Sequence, residues 1–90
     1  MNPAADQQQD EQQRAGQLTR EQLPAYLVRL GGRYERARLA QPRDFATMQT
    51  TERVLELLHA QHDETDCGLF FRRGQNVVRR LRQLQEVAAW

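Results

Sequence analysis

Apolar residues recur at intervals of three and four positions through most of this chain of 90 residues. The longest run has steps of four, three, four, three and four residues, at Phe70, Gly74, Val77, Leu81, Leu84 and Ala88. Such spacing places side chains on one face of an α-helix, whereas a half-buried strand would require alternation. Shorter runs with the same spacing cover residues 23–37 and 48–62. The pattern therefore predicts an all-α fold.

Start and stop signals divide these runs into three predicted helices, at about residues 20–40, 44–62 and 66–89. Thr19 and Gln22 have the spacing of a capping box, but the ring of Pro24 favours a start nearer Leu23. Short connections between the helices predict a small antiparallel three-helix bundle over residues 18–90, and a hairpin with an extended third helix is the alternative.

Prolines and short polar side chains mark the other helix ends. Pro42 disfavours helix at the residue before it, so the first helix is expected to end there. Asp44 is the expected cap of the second helix, and Thr65 or Asp66 that of the third. Residues 1–17 are rich in glutamine and lack large apolar side chains, which predicts a disordered tail, with a frayed polar helix as the alternative.

The charge balance excludes a strongly basic or acidic protein. The chain has 13 basic and 12 acidic residues, and its net charge is +1. General attraction to nucleic acids or anionic membranes is therefore not expected. A single cysteine forms no internal disulfide, and no apolar run is long enough to span a bilayer. Without a secretory signal pattern at the first residues, these features predict a cytoplasmic protein.

One stretch, HAQHDETDC at residues 59–67, contains the residue types of a metal site. His59 and His62 share a helix face, and Asp66 and Cys67 follow them. The spacing matches no compact zinc signature, and a helix end followed by acidic capping residues accounts for all four. No metal, cofactor or catalytic residue is expected, and an enzyme is not predicted.

Two surfaces are candidates for binding a partner. The first helix has a second apolar stripe that includes Val28, Gly32 and Leu39, and Phe71 lies outside the seam of the third helix. Two adjacent glycines, Gly31 and Gly32, either bend the first helix or admit a neighbouring backbone, and the sequence does not separate these alternatives. A helix with two apolar stripes has more surface to bury than one neighbour covers, which predicts a protein partner or a second copy.

The second candidate surface is basic. Arg72 and Arg79 superpose on the third helix, as do Arg73 and Arg80, because seven residues make almost two turns. Such a face suits an acidic protein surface or phosphates. The sequence therefore predicts a non-enzymatic helical interaction module of the adaptor, chaperone or inhibitor type, and the alternative is a DNA-binding regulator that uses these arginines.

Residues 27–58, LVRLGGRYERARLAQPRDFATMQTTERVLELL, resemble the helical hairpin of small type III secretion needle co-chaperones. Pro42 and Phe45 occupy the positions of that family's turn, and Val54, Leu55 and Leu58 form the apolar face of its second helix. The resemblance covers about a third of the chain, and the predicted third helix departs from the two-helix pattern. It implies a bacterial chaperone or adaptor.

Overall fold

The computed structural model describes residues 11–88, and within them the fold is all-α, as predicted. The three long helices are α1 (Leu23–Leu39), α2 (Phe45–Gln61) and α3 (Glu64–Ala88). A short helical segment at residues 11–16 precedes them, so four helical segments are present rather than three.

The short first segment fits the helical alternative for residues 11–16 rather than the predicted disordered tail. Ala15 is buried and belongs to the same apolar cluster as Leu27 and Leu58. Glu11 accepts a hydrogen bond from the Arg33 guanidinium of α1. A small apolar side chain and a cross-helix ion pair therefore attach this segment to the bundle, although it has no large apolar residue. The rest of the predicted tail, residues 1–10, lies outside the described residues.

The start of α1 shows both the predicted capping box and the effect of Pro24. Thr19 N–H donates to Gln22 Oε1 at 3.1 Å, and Gln22 N–H donates to Thr19 Oγ1 at 3.3 Å. This is the reciprocal pattern of a capping box. The helix nevertheless begins at Leu23, with Pro24 in its first turn. Proline is tolerated there because the first amides of a helix have no intrahelical partner.

Aspartates cap the next two helices. Asp44 accepts from Thr47 N–H at 3.1 Å and from Thr47 Oγ1 at 2.6 Å, which confirms the predicted cap of α2. The predicted cap of α3, Thr65 or Asp66, was wrong. Asp63 is the cap, because its Oδ1 accepts from the Thr65 and Asp66 amides at 2.8 and 3.3 Å. The helix consequently begins two residues earlier than expected.

Close backbone contact between α1 and α3 explains the paired glycines. The helix α1 runs unbroken through Gly31 and Gly32. A Cβ atom added to Gly31 would lie 1.9 Å from the Phe71 carbonyl oxygen, and one added to Gly74 would lie 1.9 Å from the Val28 carbonyl oxygen. The glycines thus admit the neighbouring backbone, which decides between the two alternatives that the sequence left open.

Beyond the close contact of the glycines, the contacts between α1 and α3 advance in the same direction along both helices. Gln75 and Arg79 bond to Glu35, and Arg82 bonds to the Leu39 carbonyl oxygen. The two helices are therefore parallel. α3 has 25 residues and α1 has 17, which correspond to about 37 and about 25 Å. The last turns of α3 therefore extend past the end of α1.

The buried face of α3 differs from the predicted seam. The buried residues are Cys67, Phe71, Gly74 and Val78. Of the predicted seam only Gly74 is buried, because this residue belongs both to the predicted seam and to the face that packs on α1. The tight contact at Gly74 turns the Phe71–Val78 face towards α1, so Val77 and Leu81 point elsewhere and are exposed.

We predict that Gly74→Ala destabilises the protein, whereas Gly68→Ala does not. An added methyl at position 74 would overlap the Val28 carbonyl oxygen, and overpacking of this kind costs about 1–3 kcal/mol. A Cβ at Gly68, in the same helix, meets no atom within 4 Å. The higher helix propensity of alanine should therefore stabilise this control by up to about 1 kcal/mol. Urea unfolding followed by circular dichroism measures both; equal stability of the two variants would contradict the close contact.

Candidate interaction surface

The second half of α3 carries a row of exposed apolar side chains. Val77, Leu81 and Leu84 are 51%, 50% and 58% exposed. Steps of four and three residues place them on one face of the helix. We call these three residues the distal seam. Each keeps half or more of its surface open to solvent, so the described residues leave this apolar face largely uncovered.

A groove of about 720 Å³ joins the distal seam to the end of α1. Its apolar lining comes from Leu39, Ala40, Val78 and Leu81. Its polar lining comes from Arg36, Arg82, Gln85 and Glu86. Leu81 belongs to both the groove and the seam, so the apolar surface is continuous between them. Leu39, a predicted contact residue, is half-buried at this position.

Arginines lie along one edge of the distal seam. Arg73 precedes Val77 by four residues, and Arg80 precedes Leu84 by four, so both lie on the same side of the row. Both are exposed, and neither forms an ion pair with any of residues 11–88. The Arg73 guanidinium lies over the Phe70 ring, 5.5 Å from its centroid. This edge of the seam therefore carries free positive charge.

The other two predicted arginines have different positions. Arg72 is exposed on α3 and lies farther from the distal seam than Arg73 does. Arg79 instead bonds to Glu35 of α1, with Nε and Nη2 at 3.3 and 3.5 Å from its carboxylate oxygens. Its guanidinium is therefore part of the contact between helices, although half of its side chain remains exposed.

Glu35 is a buried carboxylate between α1 and α3. Besides Arg79, it accepts hydrogen bonds from Gln75 Nε2 at 3.1 Å and from Arg38 Nε at 2.9 Å. Burial is the largest single influence and raises its pKa, but the hydrogen bonds from Arg38 and Arg79 together hold the pKa of Glu35 below its usual value. The carboxylate therefore stays charged and fixes the alignment of the two helices.

Three of the predicted partner residues lie in the contact between α1 and α3. Gly32 and Phe71 are buried, and Val28 is half-buried with its carbonyl oxygen against Gly74. Val28 and Gly32 of the second stripe of α1 thus lie against α3 of the same chain, whereas Leu39 lines the open groove. We therefore remove Gly32 and Phe71 from the partner surface; Arg73 and Arg80 remain in it.

The stretch at residues 59–67 forms the junction of α2 and α3. His59 lies in the last turn of α2 and His62 caps its end, while Asp66 is exposed at the start of α3. Cys67 is buried with its Sγ 3.9 Å from the Leu58 carbonyl oxygen. Burial, and then the charges of Asp66 and Asp63, raise the pKa of the Cys67 thiol. Across residues 11–88 no three His, Cys, Asp or Glu side chains are grouped to hold a metal ion.

Two features of this surface were not predicted. The sequence places Glu35 on the second apolar stripe of α1, but its buried ion pairs depend on how α3 packs there. The exposure of the distal seam was also missed, because the same residues form the most regular apolar run in the chain. The length of α3 could have indicated this exposure, because a predicted helix of 24 residues is longer than either of the other two predicted helices.

Comparisons with known proteins assign no family: no family model matches the chain, and neither a curated protein nor a solved structure does. Among the helices of residues 11–88, none is long and apolar enough to cross a membrane. The resemblance of residues 27–58 to secretion co-chaperones stays a prediction. The functional argument consequently rests on the surface of α3.

We predict that Glu35→Gln lowers the free energy of unfolding by about 1–3 kcal/mol at pH 7, because the negative charge beside Arg38 and Arg79 is lost and the amide NH2 group cannot accept their hydrogen bonds. The folded-state pKa of Glu35 lies below the ordinary 4.5, so the stabilisation exists above that value and disappears as the pH falls through the folded pKa. Urea unfolding at pH 7 and at about pH 2.5 should show the difference between wild type and variant shrinking in acid.

Glu86→Gln is the matched control for this prediction. Glu86 is exposed and pairs with Arg82 at 3.7 Å within the same helix. Exposed pairs of this kind contribute little to stability. Its replacement should therefore leave the unfolding curve at pH 7 nearly unchanged. A Glu35 variant as stable as this control would show that the buried carboxylate does not join the helices.

Proposed function

We propose that this protein is a helical protein–protein interaction module that acts by docking another protein on the second half of α3. The observation that carries the proposal is the distal seam, three large apolar side chains that are each half or more exposed on one helix face. Contiguous exposed apolar surface with a polar rim is typical of protein interaction sites. Scattered single apolar residues would not support the same proposal.

The size of the surface indicates reversible binding. Covering the exposed half of each seam residue contributes about 1 kcal/mol, since full burial of such a side chain contributes about 1.5–3 kcal/mol. Association costs several kilocalories per mole in lost freedom of motion. A partner that contacts only Val77, Leu81 and Leu84 therefore binds weakly. A partner that also enters the groove beside Leu39 buries more apolar surface and therefore binds more tightly.

An adaptor, chaperone or inhibitor fits this proposal better than an enzyme. The one cysteine, Cys67, is buried, and burial raises the pKa of its thiol, which disfavours the reactive thiolate. The chain contains no serine for a serine nucleophile. The resemblance to secretion co-chaperones supports the chaperone type among the three.

The second candidate is a DNA-binding regulator. Its support is that Arg72, Arg73 and Arg80 are exposed on one helix and have no ion-pair partner among residues 11–88. The exposed leucines beside them favour a protein, because phosphates gain nothing from apolar contact. Salt separates the candidates: duplex binding falls steeply between about 50 and about 200 mM salt, whereas apolar docking does not.

We predict that the double variant Val77→Gln, Leu84→Gln loses its protein partner without losing its fold. Proteins retained by the immobilised wild-type chain would be purified and their affinity remeasured by calorimetry against both forms at about 200 mM salt. Removal of two apolar contacts should weaken a true partner at least about tenfold. Thermal unfolding should change little, because both side chains are exposed.

Phe45→Gln is the matched control, since Phe45 is 63% exposed at the start of α2, on a different helix from the distal seam. This variant should bind the same partner as tightly as the wild type. An equal loss of affinity in Phe45→Gln and in the double variant would indicate non-specific apolar binding. Purified partners that bind the double variant with unchanged affinity would contradict the proposal, as would a chain that binds only duplex DNA.

A further inference from the structure

We propose that the element docking on the distal seam is an amphipathic helix of another protein whose flank is acidic. This inference rests on the proposed function and names the chemistry of the partner. It joins two observations, the helical spacing of Val77, Leu81 and Leu84 and the free arginines on one edge of that row.

The spacing of the seam selects a helix as the partner element. Exposed residues at steps of four and three form the seam that a second helix packs against in a coiled coil. The part of α3 that carries the distal seam, residues 77–88, is about 18 Å long, which corresponds to about three turns. The groove beside Leu39 gives such a helix a second contact on α1. A partner helix of three to four turns therefore fits the surface.

The charges beside the seam select an acidic flank. Arg73 and Arg80 line one edge, exposed and without an ion pair among residues 11–88. The nearby acid, Glu86, pairs with Arg82 within its own helix. Carboxylates on the partner, placed about seven residues apart, would therefore meet two free guanidinium groups. A basic flank would meet repulsion instead, so these arginines set partner choice as flanking charges do in coiled coils.

The same charges argue against a second copy of this chain as the occupant. In an antiparallel pair with Val77 of one copy facing Leu81 of the other, Arg80 of one copy would lie beside Arg80 of the other. In a parallel pair, Arg80 would face Gln85, five residues along the other copy, which carries no charge. Neither arrangement supplies a carboxylate for the free arginines. A separate protein with acidic residues complements this surface better.

The test uses two synthetic helical peptides with the same leucine seam, one flanked by glutamate and the other by lysine. Fluorescence anisotropy would measure binding of each labelled peptide to the full-length protein at about 50 and about 200 mM salt. We expect the glutamate peptide to bind about tenfold more tightly at low salt, and the preference to narrow as salt screens the charges. Double reversal by Arg73→Glu and Arg80→Glu should invert the preference.

Matched variants separate charge from packing. Arg43→Glu with Arg53→Glu reverses two exposed arginines outside α3 and should leave the preference unchanged. The double variant Val77→Gln, Leu84→Gln should weaken the binding of both peptides. Circular dichroism and thermal unfolding would confirm that every variant is folded.

The possible failures are distinct. Equal affinity for the two peptides would contradict the proposed acidic flank of the partner but not the proposed docking on the distal seam. Absence of binding by both would overturn docking on the seam. A concentration-dependent dimer in light scattering that Leu84→Gln abolishes would identify a second copy as the occupant. Duplex DNA binding with neither peptide bound would assign the arginines to nucleic acid. Each of these four results contradicts the proposal.

Discussion

The backbone contact between α1 and α3 at Gly31 and Gly74 determines the rest of this structure. Neither position has room for a Cβ, since each would come within 1.9 Å of a carbonyl oxygen of the facing helix. Because the helices meet backbone to backbone, their parallel alignment and the rotation of α3 are fixed together. The Phe71–Val78 face of α3 is turned towards α1, and the distal seam consequently lies outside this contact. The proposed docking surface is thus a result of how the glycines pack.

The buried Glu35 carboxylate also favours the parallel alignment of α1 and α3. A buried charge is costly unless it is paired and hydrogen-bonded, and here Arg38, Gln75 and Arg79 supply the donors. A shift of α3 by one turn along α1 would remove Gln75 or Arg79 from Glu35, because these two residues lie one turn apart. Buried ion pairs are weak sources of net stability but penalise alternative registers. The glycines therefore permit the close contact, and Glu35 selects one alignment of it.

The sequence predicts the helices and the buried seam of α1, which includes Leu23, Leu27 and Leu30, but not the face that α3 uses. The spacing of the leucines and the cap at Asp44 are local signals, and both agree with the structure. In α3 two runs compete, Phe70–Gly74–Val77 and Cys67–Phe71–Gly74–Val78, and the more regular one is exposed from Val77 onwards. Local periodicity cannot choose between them, because the choice depends on the partner backbone at Gly74. The spacing of Arg73 and Arg80 along one helix placed them on a shared face, and both are exposed, whereas the buried positions of Gly32 and Phe71 depend on the packing of α1 against α3.

Adjacent identical residues test the rotation of α3 directly. Val77 is 51% exposed and Val78 is 8% exposed, although they are chemically identical neighbours. Hydroxyl-radical footprinting of the free protein, resolved to single residues by tandem mass spectrometry, compares the oxidation rates of the two side chains. The glycine-determined packing predicts that Val77 is oxidised several times faster than Val78, and that Leu84 is oxidised faster than the buried Leu58. Faster oxidation of Val78 than of Val77 would mean that the distal seam faces the core, which would contradict both the described packing and the docking surface built on it.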